Sequence, residues 1–134
     1  MEWYEHVHTY RRDECAVFRK TKEQFGGLSN MASGYSLNVN GVEIRTAEAL
    51  YQACRFPDCP DVQRAIIAER SPMAAKMRGR PFLRDARPDW QAVNIGIMRW
   101  CLHMKLAQHI DTFGGVLLST DERSVVEDSA RDDF

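Results

Sequence analysis

The apolar positions of the chain change period along its length. Residues 37–44 read Leu-Asn-Val-Asn-Gly-Val-Glu-Ile, alternating about Asn40-Gly41. Both central positions of a two-residue hairpin turn need positive φ, which Asn and Gly tolerate, so this segment predicts a β-hairpin. Thr46 then stands where an N-cap belongs, ahead of a helix expected over residues 47–55 and ended by Pro57. Pro60 suits a first helical position, and Val62, Ala65, Ile66 and Glu69 continue at helical spacing. Ser71-Pro72 opens another helix over residues 73–78, which Gly79 stops. The longest pattern follows Pro88 and puts Trp90, Val93, Ile97, Trp100, Cys101 and Met104 on one face. A shorter helix is expected over residues 115–119, behind a flexible Gly114-Gly115 pair, and Val125-Val126 suggests a short strand. The expected fold class is mainly α, with a small β-hairpin toward the N-terminus.

A length of 134 residues points to one domain. With 44% hydrophobic and 28% charged residues, it can bury a core without help from disulfides or metal. Residues 1–17 read as an arm, the first fourteen polar and aperiodic, which leaves residues 18–134 for the domain. No apolar run is long enough for a signal peptide or a membrane span. Cys15, Cys54, Cys59 and Cys101 form no Cys-x-x-Cys pattern and are expected as reduced thiols in a cytoplasmic protein with no membrane contact. The formal charge of −1 gives no overall pull toward nucleic acid or membrane, so any anion site must be a local cluster.

Three local features can carry chemistry. In the loop Phe25-Gly-Gly-Leu-Ser-Asn30, two glycines permit close backbone approach to a ligand, and Ser29 and Asn30 offer hydrogen bonds. On local sequence alone the same residues make an ordinary turn. Glu48 falls in the first turn of a helix beside Tyr51 and Gln52. A carboxylate there is either a catalytic group or a residue favoured by the helix dipole. Lys76, Arg78, Arg80, Arg84 and Arg87 place five cations within twelve residues, enough for a diphosphate or a nucleic-acid backbone, or else a solvated face. The C-terminal acids Asp121, Glu122, Glu127, Asp128, Asp132 and Asp133 are expected to be mostly solvated. His6 and His8 lie in the arm, and His103 and His109 lack partners at ligand spacing, so no metal site is expected.

Taken together, eight segments resemble the NADAR (YbiA-like) family in order and spacing. They are Phe25-Gly-Gly-Leu-Ser-Asn30, Thr46-Ala-Glu-Ala-Leu-Tyr-Gln-Ala53, Ser71-Pro-Met-Ala-Ala-Lys-Met77, Asp89-Trp90, Ile97-Met-Arg99, Lys105-Leu106, Leu117-Leu-Ser-Thr120 and Val126-Glu-Asp-Ser129, with Asp132 next. The resemblance implies a mostly helical YbiA-like domain that hydrolyses N-glycosides of ribose and needs no cofactor. Members of the family remove ADP-ribose from guanine bases in nucleic acid, reversing a toxin's modification, or cleave early ribosides of riboflavin synthesis. The implied partner is ADP-ribosylated nucleic acid or a small ribosyl substrate, and the protein would antagonise a DNA ADP-ribosyltransferase toxin. A further alternative is a module that binds NAD or ADP-ribose without cutting it.

By the same resemblance, Glu48 matches the family's buried glutamate, suited to stabilising an oxocarbenium-like sugar or activating water. Asp132 is implied to hold the ribose hydroxyls or to position water. Trp90 walls the pocket or stacks on a base, or else is simply a core residue, with Tyr51 as a further ligand-binding residue. Lys76 is expected either to form an imine with an opened ribose or to pair with phosphate. Gly26, Gly27, Ser29 and Asn30 would wrap ribose or phosphates, and Arg78 and Arg80 the diphosphate. Three positions depart from the family. Arg55 replaces a common lysine, which excludes an imine at that position and leans toward the ADP-ribosylation branch. Met31 replaces a common aromatic, loosening base stacking. The chain stops at Phe134, where relatives continue with Trp-Gly and another helix. It is therefore read as a truncated or natural short form, with a pocket wall expected to be missing.

Overall fold

In the computed structural model, which describes residues 10–128, Asn40 and Gly41 take φ of 53° and 85°. They close an antiparallel hairpin of β2 (Leu37–Val39) and β3 (Val42–Ile44), in the register Leu37 to Ile44. Leu37 and Ile44 point inward and deliver the chain to α1 (Ala47–Ala53). The Thr46 hydroxyl accepts the Ala49 amide at 3.1 Å, satisfying one of the free amides at the helix start. Every residue of α1 is buried, because α2, α3 and α4 pack around it. Its polar positions, Glu48 and Gln52, therefore need an internal reason to be there.

Helices α2 (Pro60–Ala68) and α3 (Pro72–Arg78) each begin with the proline expected of a first turn. Ser71 caps α3 by accepting the Ala74 amide at 3.2 Å. A 3-10 segment, Arg80–Asp85, leads on to the long α4 (Trp90–Gln108). The main core gathers Leu50, Phe56, Ile66, Ala75, Met98 and Cys101. Phe56 is entirely buried; burial of such a side chain contributes about 1.5–3 kcal/mol.

Three expectations need correction here. The inner stripe of α4 is Trp90, Asn94, Met98, Cys101 and Lys105, and Trp100 is 42% exposed. Polar Asn94 and Lys105 occupy inward positions, so the apolar pattern pointed to a rotated face. Helix α5 spans Phe113–Ser119 and includes both glycines, because Phe113 anchors its first turn in a second core with Ala16, Phe18, Phe25 and Leu28. Third, residues 15–17 of the expected arm belong to strand β1 (Cys15–Phe18), where Ala16 is fully buried. This strand pairs in parallel with β4 (Ser124–Glu127), Cys15 against Ser124 and Phe18 against Glu127. The two ends of the described chain are thus tied together across the whole helical body. Asp132 and the arm histidines His6 and His8 lie outside the described residues. No helix among the described residues is long and apolar enough to cross a membrane.

Candidate active site

The inner end of the site is built on α1. Position 48 lies one turn from position 52, so both side chains leave the same face of the helix. Gln52 Nε2 donates to Glu48 Oε1 at 2.9 Å, and both residues are buried, each 6% exposed. A buried carboxylate is costly unless it is hydrogen-bonded, and this contact fixes its direction as well as easing its burial. The Glu48 amide donates to the carbonyl of Asn30 at 3.2 Å, which locks the loop after the 3-10 turn Gly26–Leu28 to the start of α1.

A cavity of about 350 Å³ opens between this loop, α1, α3, the 3-10 segment and the start of α4. That volume is within the range of small-molecule sites. Glu48, Tyr51, Gln52 and Arg55 line it from α1 and the residues just after it, with Ser29 and Asn30 from the loop and Trp90 from α4. Lys76 contributes from α3, while exposed Arg80 and Leu83 and, from β4, exposed Glu127 form the mouth. Trp90 is 5% exposed; its ring centroid is 4.9 Å from that of Tyr51, and the Arg55 guanidinium stands 5.3 Å over its face. One residue is therefore both core and wall. The Nε of Arg55 is buried and has no hydrogen-bond partner among the described residues. A guanidinium held over an aromatic face with a spare donor suits an anionic or acceptor-rich ligand.

Two cysteines lie close by. Cys54 and Cys101 share a thiol–thiol hydrogen bond, which pulls Cys54 below the usual thiol range, helped by the Arg87 charge. The same bond pushes Cys101 far up, reinforced by burial, by the Cys54 charge and by the charge of Glu48. Lys105, on the inner face of α4, is 1% exposed. Its ammonium donates to the carbonyls of Gly27 at 2.6 Å and Ser29 at 3.1 Å. Burial lowers it from 10.5 to about 8.

The structure brings Glu48, Lys76, Ser29, Asn30, Tyr51, Trp90 and Arg80 to one cavity. Gly26, Gly27 and Arg78 are not among its lining residues. A Cβ on Gly26 would lie 2.1 Å from the Thr21 carbonyl oxygen, and one on Gly27 would lie 2.6 Å from the Tyr35 hydroxyl. These glycines answer to packing against their own protein. Arg78 faces Glu69, its Nε 3.8 Å from the carboxylate. Gln52, Arg55 and Glu127 were not candidates for the site in the sequence. Gln52 had a signal, its one-turn spacing from Glu48. Glu127 had only its place in the segment Val126–Ser129, and the parallel pairing of β1 and β4 is what carries it to the mouth. Among the described residues no group of three or more His, Cys, Asp or Glu is placed to hold a metal.

The model of the NADAR domain matches residues 17–134. N-glycosidase YbiA of Escherichia coli (strain K12) is 30% identical over 123 residues, covering 92% of this chain and 75% of that protein. N-glycosidase Npun_R5314 of Nostoc punctiforme is 34% identical over 121 residues, 87% of this chain and 75% of that protein. Riboflavin biosynthesis protein VVA0006 of Vibrio vulnificus is 26% identical over 122 residues, 91% of this chain but 32% of that protein. The solution structure of Escherichia coli YbiA superposes with a TM-score of 0.77 at 29% identity, covering 96% of this chain and 75% of that one.

Proposed function

Because the chain belongs to the NADAR domain family, we propose that it is a glycohydrolase that cuts the bond between ribose and a base, with ADP-ribose on guanine in nucleic acid as its substrate. One observation carries the reading: Glu48 is a buried carboxylate, oriented by Gln52, in a cavity walled by Trp90 and edged by cations. Breaking a C–N glycosidic bond leaves positive charge on the sugar, and a fixed carboxylate in a water-poor site stabilises it far more than bulk water can. Arg55, Lys76 and Arg80 lie on the same cavity and supply the opposite charge for a phosphate or diphosphate. The flat face of Trp90, with Tyr51 beside it, offers a surface for the base. Such a base must be single-stranded or flipped out to reach it. Asp132 takes the ribose hydroxyls or the attacking water in this account. The protein then undoes the modification made by a DNA ADP-ribosyltransferase toxin.

Lys76 has two possible parts in the reaction. As a nucleophile, its neutral Nζ attacks C1 of the sugar, forming a C–N bond as the bond to the base breaks, and the base takes up the amine's proton. The ring C–O bond at C1 then opens to give the imine, and water hydrolyses that imine, freeing the amine and the sugar. As a cation, it pairs with phosphate. Borohydride during turnover traps a sugar adduct on Lys76 in the first case; active enzyme without an adduct leaves the second.

The test of function is direct. The protein is offered an oligonucleotide carrying ADP-ribosyl guanine, a ribosyl intermediate of riboflavin synthesis, and NAD, and released sugar is measured. Release from the oligonucleotide alone supports the proposal. Release from the riboside alone moves the function to the second reading, which the name of the Vibrio vulnificus relative favours. Tight binding without release replaces the enzyme with a binding module.

A further inference from the structure

Lys105 stands outside the cavity, yet it holds two carbonyls of the loop that forms one rim. Its Nζ bonds Gly27 O at 2.6 Å and Ser29 O at 3.1 Å, and it lies 4.5 Å from the Tyr35 ring centroid and 4.3 Å from that of Phe113. Two carbonyls and two ring faces surround the head group as they would surround a cation. From Ser29 the connection continues without a gap. The Ser29 hydroxyl accepts the Met31 amide at 3.1 Å, and its carbonyl also accepts the Ala32 amide at 3.1 Å. The side chain of Asn30 donates to Met98 Sδ at 3.1 Å, and its carbonyl takes the Glu48 amide at 3.2 Å. Resting on the glycohydrolase reading above, we infer that Lys105 is a positioning residue: through the Gly27–Asn30 loop, its ammonium sets the Ser29 and Asn30 rim and the backbone that presents Glu48.

The geometry explains why a lysine occupies an inward position on α4. An apolar side chain would fill the space but leave the Gly27 and Ser29 carbonyls without their charged donor. Bonds from an ammonium are about twice as strong as those from a neutral amine, so the charge is what tightens the loop. The groups packed around Lys105 do not pair with it as ions. Tyr35 comes from the segment before the hairpin, Phe113 from α5, and the carbonyls from the 3-10 turn. Cys101 on α4 and His109 at its C-terminal cap lie four residues away on either side, and the His109 ring packs edge-on to Tyr35. Burial is the single cause that lowers this lysine to about 8, so its proton leaves within the working range of an ordinary assay.

The first test uses unliganded protein and needs no substrate. Amide and lysine-Nζ chemical shifts are followed from about pH 7 to about pH 10. The Glu48, Met31 and Ala32 amides are expected to move with the midpoint of Lys105 Nζ. Amides that stay still while Nζ titrates would overturn the inference, whether or not any variant folds. The second test is kinetic, with the ADP-ribosyl guanine oligonucleotide. Folded Lys105→Met is expected to lose about 10- to 100-fold in kcat/KM and to lack the fall above about pH 8 that is expected of the wild type. A folded variant with the wild-type constant and the wild-type alkaline limb is the contrary result. A protein inactive on every substrate would remove the glycohydrolase reading, while the shift titration would still decide the role of Lys105.

Discussion

Gly79 joins α3 to the 3-10 segment, lines the cavity and turns its α-carbon toward the ring of Phe56. Its φ and ψ of −81° and −13° suit any residue, so the cost of replacing it is purely steric. A Cβ would stand 2.7 Å from Phe56 Cε2 and 3.0 Å from Cζ, with Ile66 Cδ1 next at 3.5 Å. Phe56 and Ile66 are both 0% exposed, so neither ring nor methyl can retreat into solvent. Forcing a methyl into such a core costs about 1–3 kcal/mol, and the reduced freedom of the unfolded chain returns about 0.4–1 kcal/mol. The net expectation for Gly79→Ala is a loss of about 1–2 kcal/mol, or a fall in Tm of about 3–6 °C for a domain of this size. Thermal unfolding followed by circular dichroism reads it. Combining the change with Phe56→Leu should recover most of the loss attributable to the clash, through a coupling between the two sites. A Tm for Gly79→Ala at or above the wild type would show that the packing argument is wrong.

Two further predictions concern groups whose protonation the fold alters. Cys54 should be alkylated by iodoacetamide well before Cys101, and Arg87→Gln should slow that labelling, because the shared hydrogen bond and the Arg87 charge favour the Cys54 thiolate. Peptide mass spectrometry checks this, and earlier labelling of Cys101 would contradict it. For Lys105, a pKa lowered from 10.5 to about 8 means that, between those values, the unfolded chain keeps a proton the fold has lost. Stability therefore rises with pH across that window, by about 3 kcal/mol in full, and falls again as pH drops through about 8. Urea unfolding of wild type and Lys105→Met should diverge accordingly, and a difference independent of pH would refute the assignment. The loop contact weakens over the same window in which the fold as a whole gains, so the two effects of this lysine are separable.

Features written in local chemistry were readable from the sequence. The Asn40-Gly41 turn, the Thr46 and Ser71 caps and the first-turn prolines of α2 and α3 each depend on residues within a few positions of one another. Strand β1 has four residues and exists through its pairing with β4, more than a hundred positions away, so no local pattern marks it. The apolar pattern of α4 predicts a face rotated from the one that is buried, because Asn94 and Lys105 take two of the inward positions. The carbonyl partners of Lys105 lie at Gly27 and Ser29, a separation that conceals its role in a linear reading. In the site, Glu48 and Trp90 were found by position within a pattern. Arg55 entered as a departure from the family and gained its meaning only from the ring beneath it and an Nε without a partner among the described residues.

The proposed catalysis depends most on the negative charge of Glu48, and Glu48→Gln removes that charge with little change of shape. Opposite charges about 4 Å apart in a medium of effective dielectric about 20 attract by about 4 kcal/mol, or about three decades of rate. Sugar release from the ADP-ribosyl guanine oligonucleotide should fall about 1,000-fold in kcat, with KM little altered and the fold intact by circular dichroism. Full wild-type turnover in folded Glu48→Gln would contradict the mechanism at its centre.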